Sequence, residues 1–221
     1  MDSNLDEGDK VARDFDESAC EFCDRYKTSG LSRSSKILLD LLVEEGVKDR
    51  TVLELGCGAG GFTMELLKQG AANAVGIDLS PEMIKVAAEL SRTNGFEDRA
   101  KFQQGNAATA SLPPSDIVIM DKVICCYSDI DSLMKNSTGA THSLVGFVAP
   151  RGEGILKWPF RFGVWIANLI QKRRHSTLFY VHSLAALDKT LGDSGLFLQR
   201  KRSSRFWLVF LYKRAVAEVS A

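Results

Sequence analysis

The sequence carries no net charge: 28 Lys and Arg balance 28 Asp and Glu among 221 residues. Overall charge therefore selects neither nucleic acid nor a membrane as a partner. No apolar run approaches the length needed to cross a bilayer. The acidic beginning has no apolar h-region, so no secretory signal is expected and cytosol is the default compartment. There is no internal repeat and no low-complexity tract, which excludes solenoids and fibrous arrays. Cysteines are few and odd in number: Cys20, Cys23, Cys57, Cys125 and Cys126. Free thiols are expected rather than a disulfide framework. Cys20-x-x-Cys23 has no second C-x-x-C, and the adjacent Cys125 and Cys126 are poorly disposed to share one tetrahedral metal, so no metal site is expected.

What is present suits one globular α/β domain. Hydrophobic residues make up 45% of the chain and charged residues 25%, enough for a core that needs no staples. The balanced charge is unevenly spread. Residues 1–24 hold nine acids against Lys10 and Arg13, whereas residues 151–214 hold thirteen Lys or Arg against Glu153, Asp188 and Asp193. The basic half either attracts an anionic partner or is a solvated face that offsets the acidic beginning.

Periodicity orders the chain. Residues 1 to about 12 read as an acidic disordered tail. Phe15, Ala19, Phe22, Cys23 and Tyr26 recur at helical spacing, and Ser34–Glu45 repeats the pattern with Ile37, Leu38, Leu41 and Leu42. Strands and helices then alternate: strands at Thr51–Leu55, Ala74–Asp78, Lys101–Gln103, Asp116–Met120 and His142–Val148, with helices between them. Ser80-Pro81 opens one of those helices as cap and first residue. An apolar and basic helix from about Phe160 to Lys172, a helix at Leu184–Leu191 and a final strand pair, Phe197–Arg200 and Phe206–Tyr212, complete the chain. Such alternation predicts an α/β, doubly wound, mainly parallel seven-stranded Rossmann-like sheet with one antiparallel strand near the end. The expected domain spans residues 36–214, preceded by tail and helix (1–35) and followed by a tail (215–221).

Chemistry concentrates in Val52–Phe62, VLELGCGAGGF, and Gly76–Ser80, GIDLS. A strand ends near Glu54, a loop carries Gly56, Gly58, Gly60 and Gly61, and a second strand ends in Asp78. Glycines there allow a ligand to approach the backbone, and a carboxylate at the second strand end suits a ribose diol. Dinucleotide sites use G-x-G-x-x-G against a pyrophosphate. Here an acid stands two residues before the first glycine, which would repel a pyrophosphate but suits a cationic amino-acid end. S-adenosylmethionine has such an end.

These segments resemble the first motifs of class I S-adenosylmethionine-dependent methyltransferases. The resemblance continues through Gln104–Ala108 (QGNAA) and Asp116–Val123 (DIVIMDKV), and covers roughly residues 36–214. Cys125–Asp129, Pro150–Glu153 and Tyr180–Ser183 are similar to a little-characterised subgroup, distantly like magnesium-protoporphyrin O-methyltransferases. The family implies S-adenosyl-L-methionine as cofactor and N-terminal helices acting as a lid, with Tyr26 either the aromatic best placed to reach the cofactor or a plain packing residue. Glu54, Asp78, Asn106 and Asp121 then fall at four successive strand ends. Gly56, Cys57, Gly58 and Gly60 would border the methionine part, with Cys57 a small residue tolerated by the turn. Glu54 would meet the ammonium, Asp78 the ribose, Leu79 and Met83 the faces of adenine, and Asn106 with the Ala107 amide its edge. Asn106 departs from the family's usual aspartate.

The acceptor side is less legible, because a sulfonium supplies its own electrophile and catalytic groups are sparse. Asp121 either orients the sulfonium end, acts as base, or is a capping or salt-bridged acid. Tyr127 lines the acceptor pocket or packs in the core. His182 is a general base or a satisfied structural histidine. Lys157–His175 mixes Trp158, Phe160, Phe162 and Trp165 with six basic residues. It covers a flat hydrophobic acceptor, rests on a membrane surface, or packs on the sheet. A small-molecule acceptor is expected, with a tetrapyrrole-like or other anionic aromatic carboxylate as one alternative and a cofactor-binding, non-catalytic module as another. Nucleic acid is disfavoured, since Asp121-Lys122-Val123-Ile124 stands where an Asn-Pro-Pro-Tyr-type motif would be.

Overall fold

A computed structural model describes residues 7–152, 157–174 and 176–215, with the side chains of 157–161 outside that description. The side chains of Trp158 and Phe160, and all of His175, therefore lie outside the description, as does the expected C-terminal tail except Ala215.

The chain begins with two helices, α1 (Glu7–Ser29) and α2 (Arg33–Glu44). Gly30 separates them at φ 68°, its amide closing the end of α1 on the Tyr26 carbonyl at 2.8 Å. The strands are β1 (Thr51–Leu55), β2 (Asn73–Asp78), β3 (Ala100–Gln104), β4 (Ser115–Asp121), β5 (Thr141–Pro150), β6 (Leu196–Ser204) and β7 (Trp207–Arg214). Helices α3 (Gly61–Lys68), α4 (Pro81–Thr93), α5 (Ile130–Ala140), α6 (Lys157–Arg174) and α7 (Leu184–Asp193) connect them. One sheet holds all seven strands in the order β3-β2-β1-β4-β5-β7-β6. Only β7 runs against its neighbours, antiparallel to both β5 and β6. The doubly wound sheet with one antiparallel strand is thus the observed architecture.

Strands buried on both faces explain the apolar runs. Val52, Leu53 and Leu55 of β1 and Ile117 to Met120 of β4 are all within 1% of full burial. One core layer joins α2, α3 and α4 to the sheet, with Leu38, Leu42, Met64 and Leu66 fully enclosed. The opposite layer gathers α5, α7 and the Phe147, Phe210 and Tyr212 rings, stacked at 5.0 and 5.8 Å.

The beginning of the chain differs from the expected tail. Residues 7–12 are helical, with Glu7 and Asp9 in the first turn where acids complement the helix dipole. Val11 is buried, and Glu7 accepts hydrogen bonds from Tyr180 Oη and Ser128 Oγ. Composition alone hid this, because Glu7 accepts from hydroxyls far along the chain. The two leading helices also divide their work: α2 packs against the sheet, Leu38 lying close on Gly146, and only its first turn reaches the functional edge.

Candidate active site

The order β2-β1-β4 places the reversal of sheet winding at β1, the position where open α/β sheets leave a crevice beyond their carboxyl ends. Parallel register aligns these ends: Leu55 pairs with Ile77 and Glu54 with Ile119. Glu54, Asp78 and Asp121 consequently face one cavity of about 690 Å³, within the usual range for small-molecule sites. Its roof is α1, whose Val11, Phe15, Ser18, Phe22 and Tyr26 share one helical face.

The loop after β1 is shaped by Gly56. Its φ of 66° is left-handed, and a Cβ there would lie 2.4 Å from Val123 Cγ2. Gly58 N–H and Ser80 N–H donate to the Asp78 carboxylate at 2.8 and 2.9 Å, tying the loop to the end of β2. Burial, only partly offset by these amide bonds, raises the Asp78 pKa. Glu54 is deeper, 2% exposed, and accepts from Thr63 Oγ1. Desolvation pushes its pKa up to about 8, against the Thr63 hydrogen bond and with help from the negative charges of Asp121 and Asp78. A carboxyl in that state is short of a cation.

Asp121 stands opposite, beside a residue that sequence reasoning did not single out. Lys122 is left-handed at φ 62°, an uncommon conformation for a lysine. The turn sends its ammonium back to Ser32 Oγ (2.9 Å), Ser35 Oγ (2.8 Å) and Asp121 Oδ1 (3.2 Å). Ser35 Oγ in turn donates to Asp121 Oδ2 at 2.6 Å. Trp207 lies under the same ammonium, 5.8 Å from its ring centroid.

The roof is held by carboxylates as well. Asp16 accepts from Ser80 Oγ at 2.5 Å and Glu82 N–H at 3.1 Å, at the start of α4. Asp14 accepts from Ser176 Oγ at 2.8 Å and Thr177 N–H at 2.6 Å. Burial works against its ionisation, yet these hydrogen bonds leave its pKa lowered. At the other end Tyr26 lies flat on Gly61, where a Cβ would come within 2.8 Å of its ring, and donates to Glu65 Oε1 at 2.7 Å.

Of the residues the sequence proposes, Glu54, Gly56, Cys57, Gly58, Asp78, Leu79, Met83, Ala107, Asp121 and Tyr127 line the cavity, and Gly60, Asn106 and His182 do not. Gly60 sits behind the wall as the cap of α3. Asn106 Oδ1 is occupied by the Ala108 amide at 2.9 Å, forming the turn that presents Ala107. His182 Nε2 lies 2.9 and 2.8 Å from the Ile124 and Tyr127 carbonyls, so it braces the turn after β4. Burial, then the Asp78 charge, pushes Tyr127 up to about 12, which makes its hydroxyl a donor and not a base. Cys57 fills the space beside Gly76, and burial pushes its thiol up. Cys125 and Cys126 line the cavity with sulfurs 3.9 Å apart. No group of residues able to hold a metal occurs among the described residues. The remaining walls, Arg25, Phe179, Gln171 and Trp207, come from segments with no motif to betray them.

Residues 47–157 match the family described as a methyltransferase domain. Among curated proteins, the chain is 29% identical over 153 residues to magnesium-protoporphyrin O-methyltransferase of Rhodobacter capsulatus, covering 67% of this chain and 65% of that one. It is 32% identical over 124 residues to protein arginine N-methyltransferase 1 of Saccharomyces cerevisiae, covering 55% and 33%. Each match spans less than two thirds of the relative's length. The solved structure of magnesium protoporphyrin IX methyltransferase from Synechocystis PCC 6803 with bound SAM shares the fold, with TM-score 0.71, 17% identity and coverage of 97% of this chain and 100% of that one.

Proposed function

Because the chain belongs to the methyltransferase-domain family, we propose that it binds S-adenosylmethionine in this cavity and methylates a small acceptor carrying an anionic group and an apolar ring. The observation that carries the reading is the set of three carboxylates, Glu54, Asp78 and Asp121, turned onto one cavity beside a glycine loop. That set of acceptors fits a ligand with a cationic amino-acid end and a diol, and the bare backbone at Gly56 fits close approach. When bound, the cofactor supplies an electrophilic methyl; the protein's share is to hold, orient and exclude water.

Glu54 takes the ammonium and loses its proton on doing so. Asp78 keeps its two backbone amides and uses its remaining lone pairs for the ribose hydroxyls. Leu79, Met83 and Ala107 form apolar walls for adenine, and Asn106 contributes by fixing the turn that carries Ala107. On the acceptor side, Lys122 and Arg25 are the cations of the described lining, among Phe15, Phe22, Phe179 and Trp207. Lys122 binds the acceptor's anion, Asp121 holds Lys122 in place, and Tyr127 orients by hydrogen bonding. A carboxylate on a flat ring system satisfies both lining types, and the tetrapyrrole named in the Rhodobacter relative has that chemistry.

Calorimetry of S-adenosylmethionine and S-adenosylhomocysteine against wild type and Asp78→Ala tests the cofactor half. Binding of both ligands by wild type is expected, weakened at least about tenfold by loss of charge-assisted hydrogen bonds. A folded wild type that binds neither ligand overturns the reading. Labelled-methyl transfer to porphyrin carboxylates, compared with smaller aromatic acids, tests the acceptor half.

A further inference from the structure

Helix α6 is inside out. Phe162, Trp165, Ile166, Leu169 and Ile170 are 59, 57, 41, 45 and 50% exposed. At 100° per residue they form one stripe roughly 140° wide, with the Phe162 and Trp165 rings stacked at 5.7 Å. The half-buried inward face is the more polar one: Val164, Asn168 and Gln171. Asn168 holds the following segment by donating to the Phe179 carbonyl and accepting from its amide, both at 2.8 Å. A soluble helix ordinarily turns its apolar stripe to the core, so this one awaits an apolar surface outside the fold.

Charge identifies that surface. Between Glu153 and Asp188 the sequence contains no acid, while Lys157, Arg161, Lys172, Arg173 and Arg174 fall within the stretch. The last three close α6 as exposed residues beside the apolar stripe. An apolar stripe bearing a tryptophan, ending in a cationic cluster and without an acid, matches the interfacial region of an anionic bilayer. We propose that α6 docks this protein on an anionic lipid surface, lying in the plane of the headgroups.

The placement bears on the cavity. Gln171 and Phe179 line the cavity, and Phe179 is itself 41% exposed. Docking by the outer face of α6 leaves only that helix, about 10 Å across, between the bilayer and the cavity wall that Gln171 forms. Attachment itself stands on α6 alone and does not require the proposed methyl transfer.

The 221-residue chain is floated with vesicles of pure phosphatidylcholine and with vesicles containing about one third phosphatidylserine. Three variants accompany it: Trp165→Glu/Leu169→Glu on the stripe, Lys172→Glu/Arg173→Glu/Arg174→Glu on the cluster, and Asp78→Ala in the cavity. Wild type and Asp78→Ala are expected to float with anionic vesicles, with at least about tenfold less on neutral ones and a further loss in high salt. Both α6 variants are expected to stay in solution while keeping wild-type circular dichroism and cofactor affinity. Equal flotation of wild type and the α6 variants, or none with either vesicle, overturns the proposal. So does a wild-type dimer in light scattering that Trp165→Glu/Leu169→Glu converts to monomer, since the stripe would then join two copies.

Discussion

Cofactor binding is predicted to expel a proton from Glu54. In the free protein desolvation holds this carboxyl at a pKa of about 8, so at pH 7 it is protonated in roughly nine molecules of ten. An ammonium arriving beside it in a water-poor pocket favours the carboxylate and returns the pKa toward or below its ordinary range. Binding at pH 7 should therefore release about 0.9 proton, nearly one at pH 6 and about half at pH 8. Affinity should rise close to tenfold per pH unit between about 5.5 and 7.5. Calorimetry in two buffers of unlike ionisation enthalpy measures the release directly. The free protein gives a second reading of the same group. A raised acid pKa penalises the ionised form, so stability is unaffected below about pH 4.5, falls as pH rises toward 8 and is level beyond. The window from 4.5 to about 8 amounts to on the order of 5 kcal/mol. Glu54→Gln should remove both the proton release and the slope. Buffer-independent enthalpies in the wild type, or the same proton release in Glu54→Gln, would refute the pairing of Glu54 with a cation.

Three further outcomes are expected. Gly56→Ala must hold an L residue in a left-handed turn and push a Cβ toward the stiff Val123 side chain. A loss of at least about 1–2 kcal/mol, seen as a Tm lower by about 2–8 °C, and weaker cofactor binding should follow; unchanged values would contradict the loop geometry. Gly61→Ala collides with Tyr26 and should loosen the end of α1, so limited proteolysis should cut α1 sooner while the sheet stays intact; unchanged cleavage would count against that seat. Asp14, with its pKa lowered, contributes stability present above its ordinary pKa and lost as pH falls through the folded value. Asp14→Ala should flatten the acid limb of the thermal unfolding profile, and an unaltered limb would show that the Ser176 and Thr177 bonds contribute nothing.

The β-α-β unit was legible because its demands are local. Glycine spacing, an acid at each strand end and the Ser80-Pro81 start depend on neighbours a few residues apart, and Glu54 and Asp78 arrive at one cavity through strand register alone. The acceptor side depends on distance. Ser35 meets Lys122 across 87 residues, and nothing in DKV announces a left-handed lysine. His182 carried the right chemistry for a base, but two backbone carbonyls claim it, and backbone carbonyls leave no mark in a sequence. Residues 7–12 read as a solvated tail because the hydroxyls that Glu7 serves lie at 128 and 180.

The roof of the cavity has a consequence for how the chain is made. Helix α1 precedes the whole sheet in the chain, yet Asp14 must wait for Ser176 and Thr177, 162 and 163 residues later. At about 5–20 residues per second that wait is roughly 10–30 s. Until the central strands are made, the Phe15 and Phe22 face has no sheet beneath it. The element that encloses the ligand is thus made before the sheet and gains its last anchor late, and a nascent chain can assemble its central strands before the cavity is closed.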